Sequence, residues 1–143
     1  MISYICYVKD YKLGLSVLVV AILATAAVAE MANNYAINTS TYLVNQTGFT
    51  LYYFKMDPGN GTSTCSGGCV TLWPPFYAKN VTVPTGLNAS DFTSITRKDS
   101  MKQTAFKGWP LYHYSKDMMS GDVKGLGFKG IWFVVDPMKF PPK

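Results

Sequence analysis

Past the first thirty residues, apolar positions do not keep helical spacing. Leu51, Tyr53 and Met56 fall off any helical stripe, and β-branched and aromatic residues dominate, a pattern that predicts strands. The stretch "YAINTSTYLVNQTGFTLYYF" predicts a strand, a turn at Asn45 to Gly48 and a second strand. "FTSITRKDSMKQTAFKGWPLYHY" repeats that design with one more strand, broken at Arg97 to Ser100 and again at Lys107-Gly108. "GIWFVVDP" reads as a buried strand ended by Pro137. "PGNG", "SGG" and "SGDVKGLGFKG" are glycine-rich loops, and only "PTGLNASDF" predicts a helical turn, with Asn88 or Ser90 as its cap. The expected class is all-β, or nearly so.

The strand pattern is written twice. "GFTLYYFKMD" aligns with "GWPLYHYSKD" at Gly48/Gly108, Leu51/Leu111, Tyr52/Tyr112, Phe54/Tyr114 and Asp57/Asp117. Each copy is followed by a tryptophan, Trp73 lying 22 residues after Leu51 and Trp132 lying 21 after Leu111. Two units of this length are too few for a solenoid. They predict two pseudo-symmetric β repeats, about 35–86 and 87–137, packed around one core in a single small domain spanning 30–143.

The amino terminus is of another kind. Lys9 and Lys12 precede an uncharged run from Leu13 to Ala29 that ends Ala27-Val28-Ala29. A basic flank, an apolar stretch and an A-x-A end predict an export signal over residues 1–29. The alternative is an uncleaved N-terminal membrane anchor, since about 17 apolar residues is the lower limit for spanning a bilayer. Either way the remainder is expected outside the cytoplasm, with membrane contact only through an uncleaved leader. Without the leader the chain keeps 11 basic and 7 acidic side chains, a net charge of +4. The basic residues are scattered rather than gathered on one face, so no nucleic-acid partner is expected.

Asparagine changes the picture further. Five of the 7 Asn begin N-x-S/T, namely Asn38, Asn45, Asn60, Asn80 and Asn88, and all follow the leader. In an exported chain such sites predict N-glycosylation at a cell surface. Cys6 lies in the leader, which leaves Cys65 and Cys69 as an isolated pair in "TCSGGCVTLW". Outside the cytoplasm such a pair reads first as a disulfide. The rival, a redox or metal pair, lacks the C-x-x-C spacing and further ligands.

Taken together these residues resemble the exported secreted-repeat proteins, predicted lipoproteins marked by Y-x-(F/W/Y)-x-x-D. The motif stands here as Tyr52-x-Phe54-x-x-Asp57 and Tyr112-x-Tyr114-x-x-Asp117. "STCSGGCVTLWPP", "GWPLYHYSKD" and the run to "GIWFVVDP" extend the likeness over roughly Tyr35 to Pro137. The resemblance implies two tandem β-rich repeats in an exported protein of undefined biochemical role. No lipobox Cys follows the apolar stretch, so this chain departs from the pattern needed for lipid anchoring.

Little in the chain speaks of catalysis. The single histidine, His113, sits at a variable motif position, and no nucleophile elbow or metalloprotease motif accompanies it. No phosphate-cradling loop is present. On a strand, Tyr52 and Phe54 share a face, as do Tyr112 and Tyr114, and Trp73 and Trp132 are expected to pack on those faces as two aromatic layers. The motif Asp residues are expected to clamp the turns that follow them. The rival is a calcium site using Asp57, Asn60, Asp117 and Asp122. A copper site at His113, Met118 and Met119, with Met56 and Met138 in support, is a further rival. The expectation is thus a non-enzymatic module without a cofactor, meeting other cell-envelope components. A small exported metal or redox protein is the alternative.

Overall fold

The computed structural model describes Tyr4–Ile5, Tyr7–Asp10, and residues 41–83 and 85–142. Leader residues 11–29 and the sequon at Asn38 lie outside the described residues. Among those described, the strands are β1 (Tyr4–Ile5), β2 (Tyr7–Asp10), β3 (Thr41–Val44), β4 (Tyr52–Phe54), β5 (Val81–Thr82), β6 (Phe92–Thr96), β7 (Lys102–Phe106), β8 (Trp109–Pro110) and β9 (Trp132–Val134). One short helix, α1 (Gly68–Leu72), and 3-10 turns at Ala89–Asp91 and Phe128–Gly130 complete the elements of the described residues. The class is nearly all-β. No described helix is long and apolar enough to cross a membrane.

The local signals act where they were written. β6, β7 and β8 form an antiparallel sheet in that order, separated at the two breaks the sequence marks. Lys107 and Gly108 both adopt positive φ, 47° and 82°, the backbone of a two-residue hairpin turn that matches strand twist. A side chain at Gly108 would run into the Gly59 carbonyl, so the position has room only for hydrogen. At the 3-10 turn the cap is Asn88, whose side-chain oxygen accepts the Ser90 N–H at 3.0 Å. Helix α1 has no counterpart in the sequence reading. It begins within the short loop closed by the Cys65–Cys69 bridge, whose Cα atoms are 5.4 Å apart.

The backbone network repeats itself under the shift that relates the two sequence copies. In one half Leu43 N–H bonds the Val135 carbonyl (2.9 Å), Val135 N–H bonds Leu51 (3.2 Å) and Leu51 N–H bonds Leu43 (2.9 Å). In the other, Thr104 N–H bonds Phe76 (2.7 Å), Phe76 N–H bonds Leu111 (2.9 Å) and Leu111 N–H bonds Thr104 (2.9 Å). Each trio links three extended segments of the chain in a closed ring of backbone bonds. The halves meet at Tyr52 and Tyr112, which exchange N–H and carbonyl bonds of 2.9 Å in both directions. These two residues straddle the pseudo-twofold axis.

One feature differs from two self-contained units laid face to face. β4, from the first copy, pairs antiparallel with β9, from the second, in the register Tyr52↔Val134 and Phe54↔Trp132. Conversely, Pro75 of the first copy bridges Tyr112 of the second. Each tryptophan segment therefore lies beside the motif strand of the other copy. The halves are interlocked by exchanged strands, which joins what a sequence alignment lists separately.

Alternation along the motif strands splits the core in two. Leu51, Tyr53 and Leu111 turn toward one cluster with Leu43, Phe76, Phe106, Val135 and Phe140. Tyr52, Tyr112 and Tyr114 turn toward another with Cys65, Trp73 and Trp132, against which Phe54 also packs.

Candidate functional site: the motif clasp

The motif side chains meet at the dyad. The Tyr52 hydroxyl donates to Asp117 Oδ2 at 2.7 Å, and the Tyr112 hydroxyl donates to Asp57 Oδ2, also at 2.7 Å. Each tyrosine is held by the aspartate of the other copy. The second oxygen of each carboxylate reaches seven residues downstream. Asp57 Oδ1 accepts the Thr64 N–H and hydroxyl at 2.7 Å each, and Asp117 Oδ1 accepts the Lys124 N–H at 3.0 Å. Both aspartates thus clamp the loop that follows, but half of each carboxylate is spent on the opposite repeat. The four side chains are buried.

A chain of donors extends from one end of this clasp. Tyr112 gives its single proton to Asp57, so the Ser63 hydroxyl, 2.7 Å away, must be its donor. Ser63 in turn accepts from Arg97 at 2.6 Å. The Arg97 guanidinium also donates to Gln103 Oε1 (2.8 Å), to the Cys65 carbonyl (2.7 Å) and to Asp99. Arg97 is only 7% exposed, and a buried guanidinium is tolerated because its donors are matched. Among the described residues no buried side-chain nitrogen or oxygen lacks a partner.

Electrostatics follow from this burial. Desolvation raises the carboxyl pKa of Asp57 and of Asp117, against the opposing pull of their hydrogen bonds. The same burial, with the aspartate beside each, pushes the Tyr52 and Tyr112 phenols far up, so both remain neutral donors. Exposed Asp99 goes the other way, held below the usual carboxylate range by Arg97.

The aromatic rings form one stack rather than two layers. Trp73 and Trp132 lie face to face, centroids 3.8 Å apart and planes within 2°. Phe54 stacks on the far side of Trp132 at 4.4 Å, and Tyr114 packs on Trp73 at the same distance. Tyr52 and Tyr112 meet the tryptophans edge-on, at 5.3 and 5.1 Å. The strand exchange is the cause, because it brings both tryptophans to the dyad. Gly125 belongs to this stack: a Cβ there would sit 2.7 Å from the Trp73 ring.

Sequence reasoning missed Arg97, Ser63, Thr64 and Gly125. Thr64 and Lys124 both stand seven residues after a motif aspartate but share no side-chain identity and bond through backbone N–H groups, so no signal in the sequence marked them.

The remaining candidates are dispersed. Asp57 and Asp117 face tyrosine hydroxyls, Asn60 Oδ1 accepts the Thr62 N–H, and Asp122 Oδ2 bonds the Met118 and Met119 amides and Lys124 Nζ. The calcium set does not converge. Among the described residues no group of three or more His, Cys, Asp or Glu could hold a metal ion. His113 packs edge-on to Phe76 at 5.4 Å, and burial lowers its pKa. Met118 and Met119 project into solvent at 73% and 68% exposure, as do Met56 and Met138. Of the sequons, Asn60, Asn80 and Asn88 are exposed. Asn45 is half-buried, its side-chain oxygen accepting from Thr47 N–H, Thr47 hydroxyl and Phe49 N–H.

The fold and its clasp define a small β protein of two interlocked repeats. A family model described as a secreted repeat of unknown function matches residues 40–77 and 93–136. The matched spans contain both motif strands and both exchanged tryptophan segments, and cover more than half the chain. The chain belongs to this family of secreted repeats, and the protein is extracellular. Comparison with curated proteins and with solved structures returns no match.

Proposed function

We propose that the protein is a non-enzymatic cell-surface module whose repeated motif builds the fold, while its glycosylated exterior meets other envelope components. The observation that carries this reading is the clasp itself. The Tyr52 and Tyr112 hydroxyls and the Asp57 and Asp117 carboxylates are buried and paired with one another, so these four motif groups are engaged in holding the two repeats together. Processing of the leader after Ala29 and sugar on Asn60, Asn80 and Asn88 belong to the same reading. Exposure of those three acceptors supports it, while Asn45 holds a turn and stays unmodified. Intact-mass and peptide analysis of the native protein tests it. The expected species starts at Glu30, carries the Cys65–Cys69 bridge and bears glycan at the three exposed sites. Native protein with the leader attached and no added sugar would overturn the reading. Elemental analysis with a visible spectrum tests the metal-carrying alternative on the same sample.

A further inference from the structure

Methionine is placed in this fold against its usual habit. It ranks among the residue types most often fully buried, and it commonly fills irregular gaps in a core. Neither core cluster here holds one, whether among its buried residues or among the half-buried side chains packed against them. Leu, Val, Ala, Cys and aromatic rings supply the buried residues of both. All five methionines of the described residues are instead exposed: Met56 by 63%, Met101 by 43%, Met118 by 73%, Met119 by 68% and Met138 by 66%.

The segments that carry them are held without the thioethers. None of the five lies in a strand or helix. Asp99 Oδ1 accepts the Met101 N–H at 3.2 Å, and Asp136 Oδ1 accepts the Met138 N–H at 3.0 Å. Asp122 Oδ2 accepts the Met118 and Met119 amides at 2.8 and 3.1 Å. Met56 sits in a turn closed by the Asp57 N–H on the Phe54 carbonyl at 3.0 Å. Each loop is thus fixed through backbone groups, and the methionine side chain can change its polarity without releasing them. One reaction makes such a change. A thioether that takes up an oxygen atom becomes a sulfoxide, whose polarity disrupts a packed core. At these exposed positions it meets water instead, while Cys65, Trp73 and Trp132 stay buried behind the loops.

We propose that these five methionines form a sacrificial sulfur surface that consumes small two-electron oxidants outside the cell, namely hypohalous acids and peroxides. The fold is laid out to survive their complete conversion. With hypochlorous acid each sulfur gives up two electrons and gains an S–O bond, the O–Cl bond breaks, and chloride and a proton are released. With hydrogen peroxide the O–O bond breaks instead and water is released. The inference needs only the extracellular placement of the chain. It holds whether or not the leader is cut or sugar is attached.

The test is a titration of the exported protein with hypochlorous acid, read by peptide mass mapping and by a thermal melt at each dose. Met56, Met101, Met118, Met119 and Met138 should each gain one oxygen before any appears on Trp73 or Trp132. The melting midpoint should then stay within about 4 °C of the untreated protein, less than a typical core change produces in a domain of this size. A variant carrying Met56→Leu, Met101→Leu, Met118→Leu, Met119→Leu and Met138→Leu keeps side-chain volume nearly constant and removes the sulfur. It should lose tryptophan fluorescence at a dose at least about twofold lower than the parent, because no thioether intercepts the oxidant. If the variant does not fold, the parent's order of oxidation and its melt decide the matter. Oxidation of Trp73 or Trp132 ahead of the methionines overturns the proposal, and so does a melt that collapses as the sulfoxides form. Equal fluorescence loss in variant and parent does the same. Methionines that react in the purified protein but are protected on intact cells would mean that a partner covers them, which also overturns it.

Discussion

Replacing Tyr52 with Phe removes one oxygen from the clasp and leaves the ring in its stack. Two bonds go with it: the 2.7 Å donation to Asp117 and the 3.3 Å bond from the Gly125 N–H. The Asp117 carboxylate is left buried with the Lys124 N–H as its one remaining hydrogen bond. A hydrogen bond to a charged acceptor contributes about 1.5–3 kcal/mol, and losing it strands a partly desolvated carboxylate. The expected cost is therefore about 2–3 kcal/mol, roughly a 10 °C drop in Tm for a domain of this size. Urea titration followed by tryptophan fluorescence is the assay, because Trp73 and Trp132 stack within the same cluster. A double-mutant cycle with Asp117→Asn should return a coupling of about 1 kcal/mol or more, as expected for direct partners. A cost for Tyr52→Phe under about 0.5 kcal/mol, the level of an ordinary surface change, would refute the clasp as a source of stability. Strict additivity with Asp117→Asn would do the same.

Trp73→Ala and Trp132→Ala should each cost about 3–5 kcal/mol by urea titration, and the double variant less than the sum, because each ring is the other's main stacking partner. The isolated fragment 88–143 should show no cooperative thermal transition by circular dichroism, since β9 and the Asp117 carboxylate both find their partners in the first copy. Stability should also depend on pH through Asp57. Its folded pKa lies above the ordinary 3.8, so the folded state binds the proton more tightly. The contribution is fully present below the unfolded pKa and is lost as pH rises through the raised folded value. Between those two points stability should fall with rising pH, and Asp57→Asn should flatten that slope in urea midpoints measured across the range.

The β class and the turns were legible because their causes are local. Absence of helical spacing around Leu51 and Tyr53, glycine at Gly108 and an Asn before Ala89–Asp91 each act within a few residues. The doubling was legible as well, since a repeated motif is visible without knowing what it touches. The clasp partners were not. Both copies carry the same hydroxyl and the same carboxylate, so Tyr52 is chemically as well suited to Asp57 as to Asp117. Nothing local distinguishes pairing within a copy from pairing across. The tertiary structure decides it, because β4 lies beside β9 and Tyr112 beside Pro75, which carries each tyrosine to the aspartate of the other half. The same exchange joins two expected aromatic layers into one stack and encloses Arg97 against Ser63 and Cys65. By itself the sequence determined the units and their equivalence. Which unit completes which is a matter of closing long loops around a shared core, and only the folded chain settles it.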